Sequence, residues 1–322
     1  LEFRRVLFRS HIIALTNMLR PDIFVPGNHE FDFGKRVFLE RMAEARFPLF
    51  ASNMRAADGQ PVPGFQDRAI FNADGLRIGL TGATHDDTPR MASSEDMKFL
   101  PTVATTREQA EALRREGADF VVAVLHADRK QGHDLLASGA VDLVLTGHNH
   151  DLFVGFDGRR AMAESGHDAQ YVTLIDITID ARQVDGRRAI SWWPQFRVID
   201  TATVTPDPEV AAVVAGLEQA LNREMDAPLG TTEIELDSRN AAVRSRETSI
   251  GNLIADAMRE RTRADIAIMN GGGIRGTKVY APGTTVTRRD VLAELPFGNR
   301  LVTLDVKGSD LRDRKSTRLN SS

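Results

Sequence analysis

Three short apolar runs each end in a loop that carries histidine, and this recurrence constrains the chain more than any other feature. Asp22-Ile-Phe-Val-Pro26 leads into Gly27-Asn28-His29-Glu30-Phe31-Asp32-Phe33-Gly34. Phe120-Val-Val-Ala-Val-Leu125 ends in His126, and Val141-Asp-Leu-Val-Leu-Thr146 ends in Gly147-His148-Asn149-His150. Apolar runs of this length, bounded by turn residues, read as buried strands. Lys35 to Arg46 reads as a helix, as does the stretch that Thr105-x-x-Glu108 opens as a capping box and that runs to Gly117. A shorter helix is expected near Asp134–Ser138. Strands alternating with helices predict an α/β layer architecture, and open α/β sheets bind ligands at the carboxyl ends of their strands.

The chemistry of these loops is specific. An asparagine carbonyl oxygen and imidazole nitrogens suit a hard or borderline cation. Asp32, three residues after His29, is placed to hold that imidazole in one tautomer. A single histidine is most often a hydrogen-bonded core or surface residue; a set at three strand ends is not. The remaining polar residues take bland readings. Asn53 makes a turn, His85 is solvated in a polar loop, and His133 and His167 have no role. Asn72-Ala-Asp-Gly75, between apolar stretches, is a hairpin signal. Tyr171 to Ile179 and the stretch near Phe196–Ile199 alternate with period two, as antiparallel strands of a second sheet would.

Gly-Asn-His-Glu-Phe-Asp and Gly-His-x-His, in this order, resemble the calcineurin-like metallophosphoesterases, and within them the bacterial 5′-nucleotidase and UDP-sugar hydrolase family. The resemblance implies a layered α/β/β/α metallophosphoesterase domain with two divalent metal ions. Asn28, His126 and His148 would ligate one ion and His150 the other, with His29 the catalytic histidine and Asp32 its partner. The family pattern also has an upstream Asp-x-His and Gly-Asp, which this sequence does not contain. Mixed nitrogen and oxygen sites accept Zn, Mn, Co or Fe, so the metal stays open.

Thr201 to Pro208 is rich in threonine and proline and reads as a boundary, with Asp207-Pro208 a helix cap and first-turn proline. Residues 11–200 would form the metallophosphoesterase domain, 201–228 a linker helix, and 229–312 a smaller α/β substrate domain. Val210, Val213, Val214, Leu217 and Leu221 mark one face of the linker helix. In the second domain Ser249 to Arg261 is amphipathic, and Asp265-Ile-Ala-Ile-Met269 reads as a strand leading into Asn270-Gly-Gly-Gly-Ile-Arg275. Glycines there allow close approach of a ligand to backbone N–H groups. With Arg246 in Arg-Glu-Thr-Ser-Ile-Gly-Asn252 and with Leu295-Pro-Phe-Gly-Asn299, this resembles the nucleotide pocket of the same family. By that resemblance Arg246 and Arg275 bind nucleotide oxygens, Asn270 the base or ribose, and Phe297 stacks on the base. A second aromatic of the family pattern would lie beyond Arg312.

The two ends read differently. Leu1–Ser10 and Asp313–Ser322 match a translated sequencing adapter and its reverse complement, and both are expected to be artefacts flanking a piece open at each end. Of the 41 basic and 45 acidic residues, these ends hold six and two, leaving 35 against 43 and a net charge of −8. Such a balance argues against a nucleic-acid partner, because a phosphate backbone rewards basic faces. The chain has no cysteine, hence no disulfide and no thiolate metal site, and no apolar run long enough to span a bilayer.

The function implied is metal-dependent hydrolysis of nucleotide phosphate esters, of AMP-like nucleotides or UDP-sugars, by a periplasmic or secreted enzyme. The fragment itself is expected to be inactive. Two alternatives keep the scaffold: a hydrolase for cyclic nucleotides or a sulfur-linked substrate, and a non-catalytic nucleotide-binding protein.

Overall fold

The structure is a computed structural model that describes residues 10–184, 187–297 and 299–311. The adapter-like segments therefore lie outside the described residues, apart from Ser10. Two compact units divide at Leu217 and Glu218, inside the helix Pro208–Met225. Asp207 caps that helix, its Oδ1 accepting from the N–H groups of Glu209 and Val210 at 2.9 and 3.0 Å.

The first unit is built on a six-stranded sheet. Its order is Arg68–Ala73, Leu76–Ala83, Phe120–His126, Leu143–Gly147, Ala161–Ser165 and Leu152–Phe156. The four inner strands run parallel, and each edge strand is antiparallel to its neighbour. The hairpin at Asn72–Gly75 forms as its sequence signals: Asp74 and Gly75 have φ of 50° and 77°, the paired positive values of a tight hairpin turn.

Period-two alternation sends successive side chains of Phe120–His126 to opposite faces. Val121, Ala123 and Leu125 pack against Ala110 and Leu113 of the helix Thr102–Arg115 and Leu135 of the helix Arg129–Ala137. Phe120 and Val122 face the other way, onto the long hairpin Tyr171–Val184 and Arg187–Asp200. There Trp192 sits edge-on to Phe120, ring centroids 4.9 Å apart, and its indole N–H donates to the Arg159 carbonyl at 2.9 Å. Burying a side chain of this size contributes about 1.5–3 kcal/mol. Helices lie on one face and a β-ribbon on the other, the α/β layering that alternating strands and helices predict. A third cluster, around Phe31, Phe38, Met42, Phe47 and Met54, holds the first histidine loop.

Four local expectations change. Asp22–Pro26 is extended but, among the described residues, makes only one bridge, Phe24 to Leu49; Pro21 and Pro26 bracket the run and offer no N–H to a ladder. The capping box at Thr105 is not used, because the helix begins at Thr102. Its end is capped from another segment: the Thr102 N–H donates to Asp86 Oδ2 at 3.1 Å. The helix expected near Asp134 starts earlier, at Arg129, where the Asp128 N–H donates to the Gln131 side-chain oxygen at 3.2 Å. Asp265–Met269 is not a strand; Ile266 and Ile268 are more than half exposed, and no ladder partner pairs with them among the described residues.

The second unit is smaller. Its core gathers Leu236, Val243, Ile250, Ile274 and Tyr280, with Ile254 and Met269 against it. The helix Ser249–Thr262 is capped by Thr248, whose hydroxyl accepts from the Gly251 N–H. No helix among the described residues is long and apolar enough to cross a membrane.

Candidate metal centre

The first histidine loop folds as a single 3-10 turn, Asn28–Phe31. Its anchor is Phe31, fully buried between Phe38 and Phe99 at centroid distances of 4.2 and 5.6 Å. Glu30 folds back so that its carboxylate accepts from the Gly27 N–H. With Phe31 inward and Glu30 turned back, Asn28 is buried, while the His29 side chain stays 64% exposed.

The other two loops are placed by sheet register. His126 pairs with Gly147 as the last step of a parallel ladder, so His148 follows directly beside it. Three donor atoms then converge. His126 Nε2 lies 2.9 Å from Asn28 Oδ1 and 3.2 Å from His148 Nδ1. Ligands about 2.0–2.1 Å from one tetrahedral ion stand only slightly further apart than this, so the donor set fits a cation. Gly27 makes the approach possible: a Cβ there would stand 2.7 Å from His126 Cε1.

The electrostatics agree. Burial pushes the His126 imidazole down to about 4, helped by the surrounding His148, His85, His29 and His150. Burial, and then His85, lower His148 as well, against the opposing pull of Asp128. Both rings are thus neutral at neutral pH, the form that ligates metal. The backbone carries strain at the same place: His148 and His150 have φ of 120° and 65°. Such conformations cost about 1–3 kcal/mol each and cluster at functional sites.

His29 and Asp32 are also together, Nδ1 lying 3.1 Å from Oδ2. His150 stacks on His167, with centroids 5.3 Å apart and planes 19° from parallel, which brings His167 beside the histidine loops. His85 is a clearer correction. It is buried, at 4% exposure, and its ring lies 4.9 Å from that of His148. His85, Asp128 and His148 bring donor atoms within 4.8 Å of one another. Nothing local in the sequence marks His85, because the Asp128 carboxylate 3.3 Å from its Nε2 arrives from 43 residues away. Asn53 is likewise structural: fully buried, it donates to the carbonyls of Thr84 and Leu100 and accepts from the Thr84 N–H.

In the second unit, Arg275 and Phe297 meet, the guanidinium carbon 5.2 Å from the ring centre. Asn270 caps the 3-10 turn Gly271–Gly273. That turn needs glycine, since a Cβ on Gly271 would stand 2.0 Å from the Val243 carbonyl oxygen. Arg246 reaches Asp237 at 3.6 Å, beside the Arg239 fork that grips the same carboxylate.

Comparison with known proteins adds the family. The calcineurin-like phosphoesterase profile matches residues 4–152, and the 5′-nucleotidase C-terminal domain profile matches residues 228–314. The chain is 26% identical over 350 residues to Protein UshA of Yersinia enterocolitica, covering 92% of this chain and 62% of that protein. It is 25% identical over 319 residues to Endonuclease YhcR of Bacillus subtilis, covering 91% and 25%. The chain thus spans less than two-thirds of the length of these curated relatives. Its fold matches the crystal structure of a 5′-nucleotidase precursor from Thermus thermophilus with a TM-score of 0.70, at 23% identity, over 98% of this chain and 66% of that one. The chain is therefore a member of the calcineurin-like phosphoesterase family in which a 5′-nucleotidase C-terminal domain follows the phosphoesterase domain.

Proposed function

We propose that this chain is the greater part of a metal-dependent hydrolase of nucleotide phosphate esters, acting as a 5′-nucleotidase and on UDP-sugars. The observation that carries the reading is the inward convergence of Asn28 Oδ1, His126 Nε2 and His148 Nδ1 beside the His29–Asp32 pair. Asn28, His126 and His148 would hold one divalent ion and His150 a second. Bound there, such ions polarise phosphoryl oxygens and acidify water.

The chain's own residues supply the rest. Asp32 keeps the proton on His29 Nδ1 and so fixes which nitrogen faces the solvent. His29, with its side chain 64% exposed, would carry a proton to the departing ester oxygen, a contribution of typically about 10²–10⁴-fold. In the second unit Phe297 offers a face for a base, worth roughly 1–3 kcal/mol, with Arg275 across it. Asn270 and Arg246 would meet the ribose and phosphate oxygens. Family resemblance points to a periplasmic or secreted setting.

Metal analysis of purified protein tests the assignment. In the product of the complete source gene, His126→Ala and Asn28→Ala should lose metal, while His29→Ala should keep it and lose turnover; metal loss in the His29 variant would make that residue a ligand. Phosphate release from AMP, UDP-glucose and cyclic AMP by the product of the source gene tests the substrate. A product that cleaves cyclic AMP or a dinucleotide while leaving AMP intact would replace the monoester reading with a diesterase one.

A further inference from the structure

His85 and Asp128 lie on the far side of His148 from Asn28 and His126. We infer that Asp128, held by a hydrogen bond from His85, fixes the tautomer of His148 through its charge, and that His85 and Asp128 are not themselves a cation site. This rests on the metal reading of His148 given above.

The direction of each hydrogen bond carries the argument. The Asp87 N–H donates to His85 Nδ1 at 3.0 Å, so that nitrogen is an acceptor and the ring proton sits on Nε2. His85 Nε2 lies 3.3 Å from Asp128 Oδ2 and therefore donates to it. A cation on His85 Nε2 would need the proton moved to Nδ1, where it would meet the Asp87 N–H head-on. The second carboxylate oxygen, Oδ1, stands 3.9 Å from His148 Nε2. Its charge favours a proton on that nitrogen, which leaves the lone pair on Nδ1, the atom turned toward His126. Metal-ligating histidines commonly hold their second nitrogen against a carboxylate in this way.

Asp128 is itself held. Its N–H donates to the Gln131 side-chain oxygen at 3.2 Å at the start of the helix Arg129–Ala137, and the Gln131 amide donates to Asp86 Oδ1 at 3.1 Å. From the same helix end, the Arg129 N–H donates to Asn149 Oδ1 at 2.8 Å, tying down the loop between the two strained histidines. One helix terminus thus sets both the backbone and the ring of His148.

The test uses the full chain with ¹⁵N-labelled histidine, freed of metal with a chelator, and then titrated with Zn²⁺. Asp128→Asn suits it because asparagine caps a helix as well as aspartate does. The wild-type His148 ring should carry its proton on Nε2 in long-range ¹H–¹⁵N spectra. Asp128→Asn should shift it to mixed tautomers and weaken Zn²⁺ binding by about 10–100-fold, with little change in thermal midpoint. His85→Phe should act in the same direction by a smaller factor, and it carries both readouts should the Asp128 variant fail to fold. Unchanged tautomer and affinity in a folded Asp128→Asn protein would overturn this role of Asp128; if Asn28→Ala still lost Zn²⁺, the metal reading would survive. Loss of one whole ion with the remaining affinity intact would also overturn it, in favour of a separate site. A tautomer shift in a protein that binds no Zn²⁺ at all would uphold the role of Asp128 and remove the metal reading.

Discussion

Gly27 and His148 set opposite limits on what the histidine loops tolerate. A methyl group at Gly27 would press on the His126 ring at 2.7 Å. Gly27→Ala should therefore displace the imidazole, destabilise the first unit by about 1–3 kcal/mol as overpacking does, and weaken metal binding measured by calorimetry. At His148 the backbone itself is strained, with φ of 120°. Glycine adopts such angles freely, so His148→Gly should lose metal yet raise, or leave unchanged, the thermal midpoint of the metal-free protein. A lower midpoint would mean that the ring's packing outweighs its strain. Asn53→Ala should instead cost about 2–4 kcal/mol with no direct effect on metal, because it strands buried backbone groups of Thr84. The contrast shows what could be read in advance. Asn28, His126 and His148 were legible because each ends an apolar run. His85 was not, since its burial and its partner come from a helix cap far along the chain.

At the scale of elements, sequence patterns locate four strands of the six-stranded sheet but not Leu152–Phe156 or Ala161–Ser165, while contacts between segments decide where several helices begin. The Asp-Gly hairpin was readable because its turn chemistry is local. The start of Thr102–Arg115 was not, because its cap is Asp86, across a loop. The predicted strand at Asp265–Met269 failed for a related reason: apolar alternation does not make a strand without a ladder partner. In the second unit, the strand pair of Leu236–Asp237 with Val279–Tyr280 ends in a charged fork. The Arg239 guanidinium hydrogen-bonds the Asp237 carboxyl and holds it down to about 2. Its ordinary value is about 3.9, so the folded state binds that proton less readily than the unfolded one. The stabilisation is present above about pH 4 and disappears as pH falls toward 2. Urea unfolding followed from pH 5 down should show wild type and Asp237→Asn converging at the acid end; a gap that persists there would assign the effect to packing.

For the whole molecule, the division at Leu217 and Glu218 predicts separable damage. Gly271→Ala forces a Cβ to 2.0 Å from the Val243 carbonyl oxygen, which backbone cannot yield cheaply. Limited proteolysis should find the second unit opened in this variant while the first keeps its metal content. Loss of both together would show that the units fold as one.

The contact between Gly27 and His126 has a consequence for the family's history. The two positions stand 99 residues apart, yet one exists without a side chain so that the other can hold its ring. They should therefore change together across related genes. Chains that keep an imidazole at the second position should keep glycine at the first. Where selection for metal has lapsed and the imidazole is gone, the first position is free to drift to larger residues, and such paired loss would mark the lineages that bind nucleotides without cutting them.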